Sequence, residues 1–470
     1  MITVNTGRTF LKAWNEKNNK ELTAKEFFED EFLEIFYNHP KYLMSGGNSP
    51  LENPKISWQK GDRPSPENRK ERILKTIEKI ESKAFDASIA LGFQASDDGG
   101  FQPTSGLITD IPNQYTIEDK YYSWIGAGLS LGVAGGFSIL LDNPDILLKT
   151  FEGWKVYRQF LNDPTLEKLA GNKITSWNGQ WLSYAFSKDY RPHFDYATLD
   201  NLGFFKHTQT ETVIETVKWS RLFFNLSTQY PNQTITGYVF GFGQMNKTLG
   251  FFPFRFQQAR KIILFYQKLF GENAALKDSR YYENMYGVHI KRACELGALG
   301  IQALEPEGLR KYFDADKMPN LIKSKVSRKK DQSDEDFEVA LQEAEQKDYE
   351  NKIIPFRIYK TWLLAMITKN KEEMSDYTQQ IAKAIYEYRA GDKKGSTKRT
   401  NIVSNQLLAS KSKKGFLEAL TEIIKEVEDA NLEIFKELRD RVHLMNNEDF
   451  GYFVILLKFD YAYQYRISSI

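Results

Sequence analysis

A regular helical spacing of apolar residues runs through almost the whole C-terminal part of the chain, residues 353–470. In segments such as FRIYKTWLLAMITKN and DFGYFVILLKFDYAYQYR, apolar residues recur three and four positions apart. This period places them on one face of a helix, which must be buried against another helix. Successive segments of this kind predict a compact helical bundle over residues 353–470.

The chain changes character on the N-terminal side of this bundle. Charged side chains dominate residues 322–352, which predicts a solvated linker or an exposed helix over 321–352. Residues 1–320 mix helical patterns with glycine- and aromatic-rich stretches that are typical of strands and turns. We therefore predict an α+β fold, in which a mixed N-terminal body over 1–320 precedes an all-α bundle.

Local signals place several helices in the N-terminal body. In TAKEFFEDEFLEIFY, Thr23 has the position of a helix cap and Glu26 follows three residues later. The spacing over residues 67–92 predicts an amphipathic helix. FRFQQARKIILFYQKLF predicts another helix, which stops at Gly271.

An uncharged run over residues 121–141 is long enough to span a bilayer. It contains five glycines and three serines, and large aliphatic side chains do not dominate it. A close-packed core also produces such a run, so we interpret it as a buried helix–turn or strand pair. No membrane partner is expected.

Charge and cysteine usage exclude several classes of protein. The net charge of +2 excludes a simple polycationic DNA coat, so a nucleic-acid surface would need local clustering of charge. The single cysteine, Cys294, excludes an intrachain disulfide and suits the cytoplasm. No two of the five histidines have the spacing of a helical metal site. No resident metal or cofactor is therefore predicted.

Candidates for catalysis are few, and no catalytic residue is assigned. Asp97 and Asp98 in ASDDGG could hold Mg²⁺, although Asp beside Gly is more typical of a turn. Ser130 lies in GLSLG, which has the spacing of a nucleophile motif but sits inside an apolar run. His193 is the best placed histidine, since Asp189 and Asp195 lie nearby. The alternative function left open is a Mg-dependent nuclease with a dispersed acidic site.

The stretch GYVFGFGQMNKTLGFFPFRFQQARK, residues 237–261, combines glycines, aromatic rings, amides and cations. One interpretation is a glycine-rich hairpin whose Phe side chains fill the core. In the other, glycines let a duplex approach, amides contact base edges and cations hold phosphates. The predicted duplex contacts are Gly241, Gly243, Gln244, Asn246 and Lys247, and the predicted backbone contacts are Arg255, Arg260 and Lys261.

TSWNGQWLSYAF, residues 175–186, has a similar composition. Asn-Gly is a favoured hairpin turn, so the segment is interpreted as strands joined by a turn. Its exposed amides, Asn178 and Gln180, are further candidates for contact with bases.

Cations cluster between residues 383 and 414 of the bundle. That stretch contains nine Lys or Arg residues but only two acidic residues, Glu387 and Asp392. The acidic stretch of residues 418–429 follows it. One side of the bundle could thus be basic and bind a strand or duplex backbone, whereas the alternative is a solvated loop. The predicted backbone contacts are Lys393, Lys394, Lys398, Arg399, Lys411, Lys413 and Lys414.

This plan resembles the large subunit of type I CRISPR surveillance complexes (Cascade), and is most similar to the shorter subunits of the I-B-like branch. The resemblance covers the order of N-terminal body, charged linker and bundle. It also covers the residue pattern of the bundle from FRIYKTWLLAMITKNKEEM onward. It implies a non-catalytic protein that recognises the protospacer-adjacent motif of target double-stranded DNA and starts its unwinding. In GFGQMNK, Gly241, Gly243, Gln244, Asn246 and Lys247 match the residue types of the family's glycine loop, amide wedge and lysine.

The resemblance also implies a set of partners. They are the guide CRISPR RNA, the target duplex with its displaced single strand, the other subunits of the complex and a helicase–nuclease recruited in trans. Pairing between guide and target then reads the remaining sequence. The bundle over 353–470 is similar to the small subunits that support R-loop formation.

Overall fold

The computed structural model describes residues 2–44, 64–82, 116–241, 247–271, 273, 278, 281, 306, 321–330, 332–366, 371–392, 394–427 and 429–468. The chain divides into two compact units. The first comprises Met1–Gln257 and Ile290–Leu299, and the second comprises Gln258–His289 and Gly300–Ile470.

The first unit combines helices with short antiparallel strands. Its described helices are α1 Ile2–Asn18, α2 Ala24–Phe27, α3 Leu33–Phe36, α4 Pro66–Glu81, α5 Ile117–Gly128, α6 Pro144–Asn162, α7 Ile174–Ala185, α8 Tyr196–Asn201 and α9 Trp219–Gln229. Its described strands are β1 Leu131–Val133, β2 Phe137–Leu141, β3 Phe205–His207, β4 Thr212–Ile214, β5 Thr234–Gly241 and β6 Lys247–Arg255. Four of these strands form an antiparallel sheet in the order β1-β2-β5-β6, and β3 pairs with β4.

Helices α1 and α5 cross with their backbones in close contact. A Cβ atom at Gly7 would lie 2.1 Å from the carbonyl oxygen of Tyr122, and one at Gly126 would lie 1.9 Å from that of Thr3. Only glycine permits this approach, since real side chains do not come so near to a backbone oxygen. Aromatic rings from α1, α2, α3 and α6 then fill the core, with Phe36 edge-on to Trp154 at 4.7 Å.

The helix start predicted at Thr23 is confirmed. Glu26 N donates to Thr23 Oγ1 at 3.2 Å, while Thr23 N donates to Glu26 Oε2 at 2.8 Å. A π-helical turn over Phe28–Phe32 then joins α2 to α3. Helix α4 covers the first part of the predicted helix over 67–92, and residues 83–92 lie outside the described residues.

The uncharged run over 121–141 forms the end of α5 and the hairpin of β1 and β2. Most of it is buried, so the prediction of a buried helix–turn is confirmed. Within the described part of the chain, no helix has the length and hydropathy needed to cross a membrane.

Helix α10, Phe256–Phe270, follows β6 and ends at Gly271, whose φ of +84° is a left-handed conformation that favours glycine. The predicted helix and its stop are confirmed. The helices described beyond it are α11 Asp334–Asp348, α12 Ile354–Met366, α13 Lys371–Ala390, α14 Ser396–Asn401, α15 Lys413–Ile424, α16 Asp429–Leu444 and α17 Asn447–Ser468. Mixed strands and helices followed by an all-α region give the predicted α+β fold.

The charged segment 321–352 includes α11, so the exposed-helix interpretation holds for that part of it. Ser333 caps α11 by accepting a hydrogen bond from Asp336 N, and acidic residues of its first turn suit the positive end of the helix dipole. A π-helical turn over Tyr349–Ile353 carries the chain without a break into α12. The bundle that follows has an apolar core, crossed by a buried ion pair in which Lys360 Nζ lies 2.5 Å from Asp460 Oδ1.

Candidate nucleic-acid interface

Strands β5 and β6 form an antiparallel hairpin, and β6 is the edge strand of the four-stranded sheet. Tyr238 pairs with Phe251, and Gly241 pairs with Lys247 at the end of the ladder next to the connection between the strands. A bulge between Val239 and Phe240 shifts the register there. The hairpin interpretation of residues 237–255 is thus confirmed, and the connection between its strands is the segment that the sequence analysis singled out.

Several predicted contacts of this segment lie outside what the structure describes. Gly243, Gln244 and Asn246 belong to residues 242–246, which are not among the described residues. Gly241 is described as the half-buried last residue of β5. Lys247, Arg255, Arg260 and Lys261 have described backbones in β6 and α10, but their side chains lie outside the description.

The two faces of the hairpin differ in burial. Ile235, Val239, Phe252 and Phe254 point to the core and are less than a tenth exposed, and Phe254 packs on Trp219 with a ring distance of 5.3 Å. The opposite face carries Tyr238, Phe240 and Phe251. Only part of the prediction that Phe side chains fill the core is therefore correct, because alternate residues of a strand face opposite ways.

That opposite face is aromatic, and one of its three rings is exposed to solvent. Phe251 is 63% exposed, whereas Tyr238 and Phe240 are half-buried. The Tyr238 ring lies 5.2 Å from Phe251 and 5.6 Å from Phe240. The sequence analysis did not single out these residues, although the alternation of β5 was the signal that could have found them.

The hairpin and α10 also have an unbalanced charge. Residues 234–268 contain Lys247, Arg255, Arg260, Lys261 and Lys268 and not one Asp or Glu. Such a local excess of positive charge attracts a polyanion even though the whole chain is nearly neutral.

The prediction of strands over residues 175–186 is wrong, because the segment lies in helix α7. Ile174, Trp177, Trp181 and Tyr184 are spaced three and four residues apart, and all four are buried. This helical period outweighed the Asn-Gly turn signal, since burying these side chains on one face stabilises the helix.

The premise that Asn178 and Gln180 are exposed is also wrong. Asn178 is fully buried, and its Nδ2 donates to the carbonyl oxygens of Gly128 at 2.7 Å and Ser130 at 3.0 Å. Gln180 is 4% exposed, and its Nε2 donates to Glu215 O at 3.0 Å. Both amides satisfy backbone groups of the core, so neither presents a hydrogen-bonding edge to a base in this conformation.

Cations of the bundle are partly engaged with the chain itself. Lys398 forms an ion pair with Glu426, and Lys414 Nζ lies 3.8 Å from Glu418. Arg399 donates to Lys394 O at 3.2 Å, and Lys413 Nζ donates to Met445 O at 2.8 Å.

Basic and acidic side chains therefore lie next to each other on this surface. The acidic stretch of residues 418–429 is not fully separated from the basic stretch of residues 383–414. Lys394 and Lys411 are exposed, and Lys393 lies outside the described residues. The Glu426 carboxylate raises the pKa of the Lys398 ammonium, chiefly through the hydrogen bond between them. The cations predicted to contact a nucleic-acid backbone thus differ in how strongly they already interact with other groups of the protein.

The catalytic candidates gain no support from their surroundings. Ser130 is 1% exposed, and its Oγ donates to Ala127 O at 2.9 Å. It follows a helix and precedes a strand, the reverse of the order that a nucleophile elbow needs. His193 is exposed, and Asp97 and Asp98 lie outside the described residues. Among the residues that the structure describes, no three His, Cys, Asp or Glu side chains are grouped to hold a metal ion.

Comparisons of the chain with protein-family models, curated proteins and solved structures find no match. The candidate interface is therefore defined by its own geometry and charge.

Proposed function

We propose that the chain is the non-catalytic large subunit of a CRISPR RNA-guided surveillance complex of the cytoplasm. In this proposal it recognises the protospacer-adjacent motif of target double-stranded DNA and starts unwinding. It also supports R-loop formation and the recruitment of a helicase–nuclease. Its partners are the guide RNA, the target duplex with its displaced strand, and the other subunits.

The observation that carries the proposal is the hairpin of β5 and β6 at the sheet edge. Its connecting segment, residues 242–246, contains Gly243, Gln244 and Asn246, and no acidic residue occurs from 234 to 268. Amides that reach base edges from an acid-free, cationic support match the chemistry of a duplex groove.

The arrangement of the chain adds support. An α+β region that carries the hairpin precedes an all-α bundle whose exposed Lys394 suits a strand backbone. The amides of α7, Asn178 and Gln180, give no support to this proposal, because they are buried.

The first test is purification of the tagged full chain with its genomic neighbours, followed by extraction of bound nucleic acid. We expect a uniform short RNA with repeat-derived ends and several partner proteins in unequal copy number. A protein that purifies alone and free of nucleic acid would contradict the proposal. Mg²⁺-dependent cleavage that Asp98→Ala abolishes would favour the nuclease alternative instead.

Motif recognition is tested on the purified complex with Gln244→Ala and Asn246→Ala. We expect both variants to lose the preference for duplexes that carry the adjacent motif, by about 1–3 kcal/mol for each base contact removed. The matched control is Asn405→Ala, which removes an exposed amide from the bundle. Equal binding of motif-bearing and motif-free duplexes by the unaltered complex would sink the assignment.

Phosphate contact is tested by the dependence of duplex affinity on salt. Lys394→Ala should reduce the slope of log affinity against log salt by about one, and it should do so for every sequence. Lys398→Ala should reduce the slope less, because Glu426 already neutralises that ammonium. Equal effects of the two variants would show that the ion pair opens on binding, and no effect of either would remove this surface from the interface.

A further inference from the structure

The outer face of the β5–β6 hairpin carries three aromatic rings, of which Phe251 is exposed and Tyr238 and Phe240 are half-buried. Phe251 is 63% exposed on the edge strand, and Tyr238 lies directly across from it in the ladder. The two rings are 5.2 Å apart with a 54° angle between their planes, and Phe240, two residues along β5, stacks on Tyr238 with an interplanar angle of 29°. The three rings thus form a continuous row.

Such a row needs an explanation, because exposing a ring gives up the free energy that its burial would provide. Phe252 and Phe254, two neighbours of Phe251 in β6, show that this strand can bury Phe side chains on its inner face. Exposed aromatic patches on a folded protein commonly mark a binding surface. The row therefore points to a partner with a flat, apolar face.

The charge of the same segment selects among partners. Lys247 and Arg255 are the first and last residues of β6, and no acidic residue occurs from 234 to 257. A purely apolar protein partner makes no use of this excess of cations. A single nucleic-acid strand uses both features, since its bases stack on rings while its phosphates meet cations.

We propose that Tyr238, Phe240 and Phe251 form a stacking surface for bases of a single DNA strand, with Phe251 as the ring that contacts a base. The proposal rests on the proposed function, in which the neighbouring segment 242–246 parts a duplex and leaves bases unpaired. Tyr238 positions Phe251 by packing beside it, and Phe240 in turn packs on Tyr238. The row would hold a parted base and so oppose re-pairing of the duplex.

The test measures binding of a single-stranded thymidine oligonucleotide, about 12 nucleotides long to suit such surfaces, to the complex assembled on the full chain. Phe251→Ala should weaken this binding between about fivefold and a hundredfold. Phe251→Leu keeps the apolar bulk but loses the ring, and should weaken it similarly. Phe251→Trp should bind at least as tightly as the unaltered protein.

The matched control is Leu444→Ala, which truncates an 83% exposed side chain of the bundle and should leave binding unchanged. Thermal unfolding of each variant checks that the fold is retained. Preference for the motif-bearing duplex should survive in Phe251→Ala, because that preference belongs to residues 242–246.

Other outcomes separate the two proposals. Unchanged binding by Phe251→Ala in a complex that still recognises the motif would overturn the stacking surface and leave the proposed function standing. Full binding by Phe251→Leu would show that apolar contact, and not stacking, is what the site provides. Loss of partner subunits from Phe251→Ala would assign the face to a protein contact. A chain that binds no nucleic acid at all would end both proposals.

Discussion

Helix α7 and the β5–β6 hairpin have similar compositions, but their polar and aromatic side chains differ in burial. Both combine glycine, amides and aromatic rings, although α7 has one glycine and the hairpin has several. In α7 the amides Asn178 and Gln180 are buried donors to backbone oxygens, whereas the hairpin presents an exposed ring, Phe251, beside a segment that carries Gln244 and Asn246. Composition thus suggests what a segment can bind, while burial decides whether it can reach a ligand.

The largest expected effect tests the glycine of α7. A Cβ atom at Gly179 would lie 2.3 Å from Gly132 O, a backbone atom that cannot move alone. Gly179→Ala should lower the free energy of unfolding by about 3 kcal/mol through overpacking, as measured by denaturant unfolding. The control is Gly451→Ala in α17, where nothing lies within 4 Å and a gain of up to about 1 kcal/mol is expected. Equal stability of the two variants would mean that α7 packs less tightly than described.

A smaller effect tests whether the buried amide is structural. Asn178→Ala removes the donor to Gly128 O and Ser130 O, and should lower the free energy of unfolding by about 2 kcal/mol. Asn405→Ala removes an exposed amide that donates only to Asn401 Oδ1, and should change stability by no more than about 0.5 kcal/mol. A stable Asn178→Ala protein with weakened duplex binding would restore this residue to the interface.

The smallest expected effect is on the pH dependence of stability, and it arises from the partly buried His39. Burial, and next the charge of Arg158, lowers the pKa of His39 to about 4 from 6.5. As pH falls from about 6.5 to about 4, the unfolded chain takes up a proton that the folded chain does not, so the free energy of unfolding decreases. We expect a decrease of about 1–2 kcal/mol, less than the full shift implies because the ring is partly exposed.

His39→Asn keeps an acceptor for Lys41 N and should flatten this part of the pH profile. His193→Asn, a change at an exposed histidine, is the matched control. Urea unfolding at several pH values provides the measurement. A His39→Asn profile as steep as that of the unaltered protein would assign the pH dependence to other groups.

Much of the fold was predictable wherever the signal is local. Thr23 and Glu26 bond each other's backbone across one turn, and Gly271 stops α10 through its own φ angle. The helical period of 353–470 likewise needs only neighbours three and four residues apart. For the candidate site, the sequence pointed to the hairpin and its cations. It missed the row of Tyr238, Phe240 and Phe251, because it did not say which face of the hairpin is covered.

The helical bundle, the capped helices, the hairpin and its excess of positive charge each follow from residues close together along the chain. Contacts between distant segments account for the rest: Asn178 binds carbonyl groups about fifty positions away, Lys398 contacts Glu426, and Phe251 stays exposed. Those outcomes depend on which distant surfaces come together. The free energy of burial is set by the assembled fold and cannot be read from neighbouring residues alone.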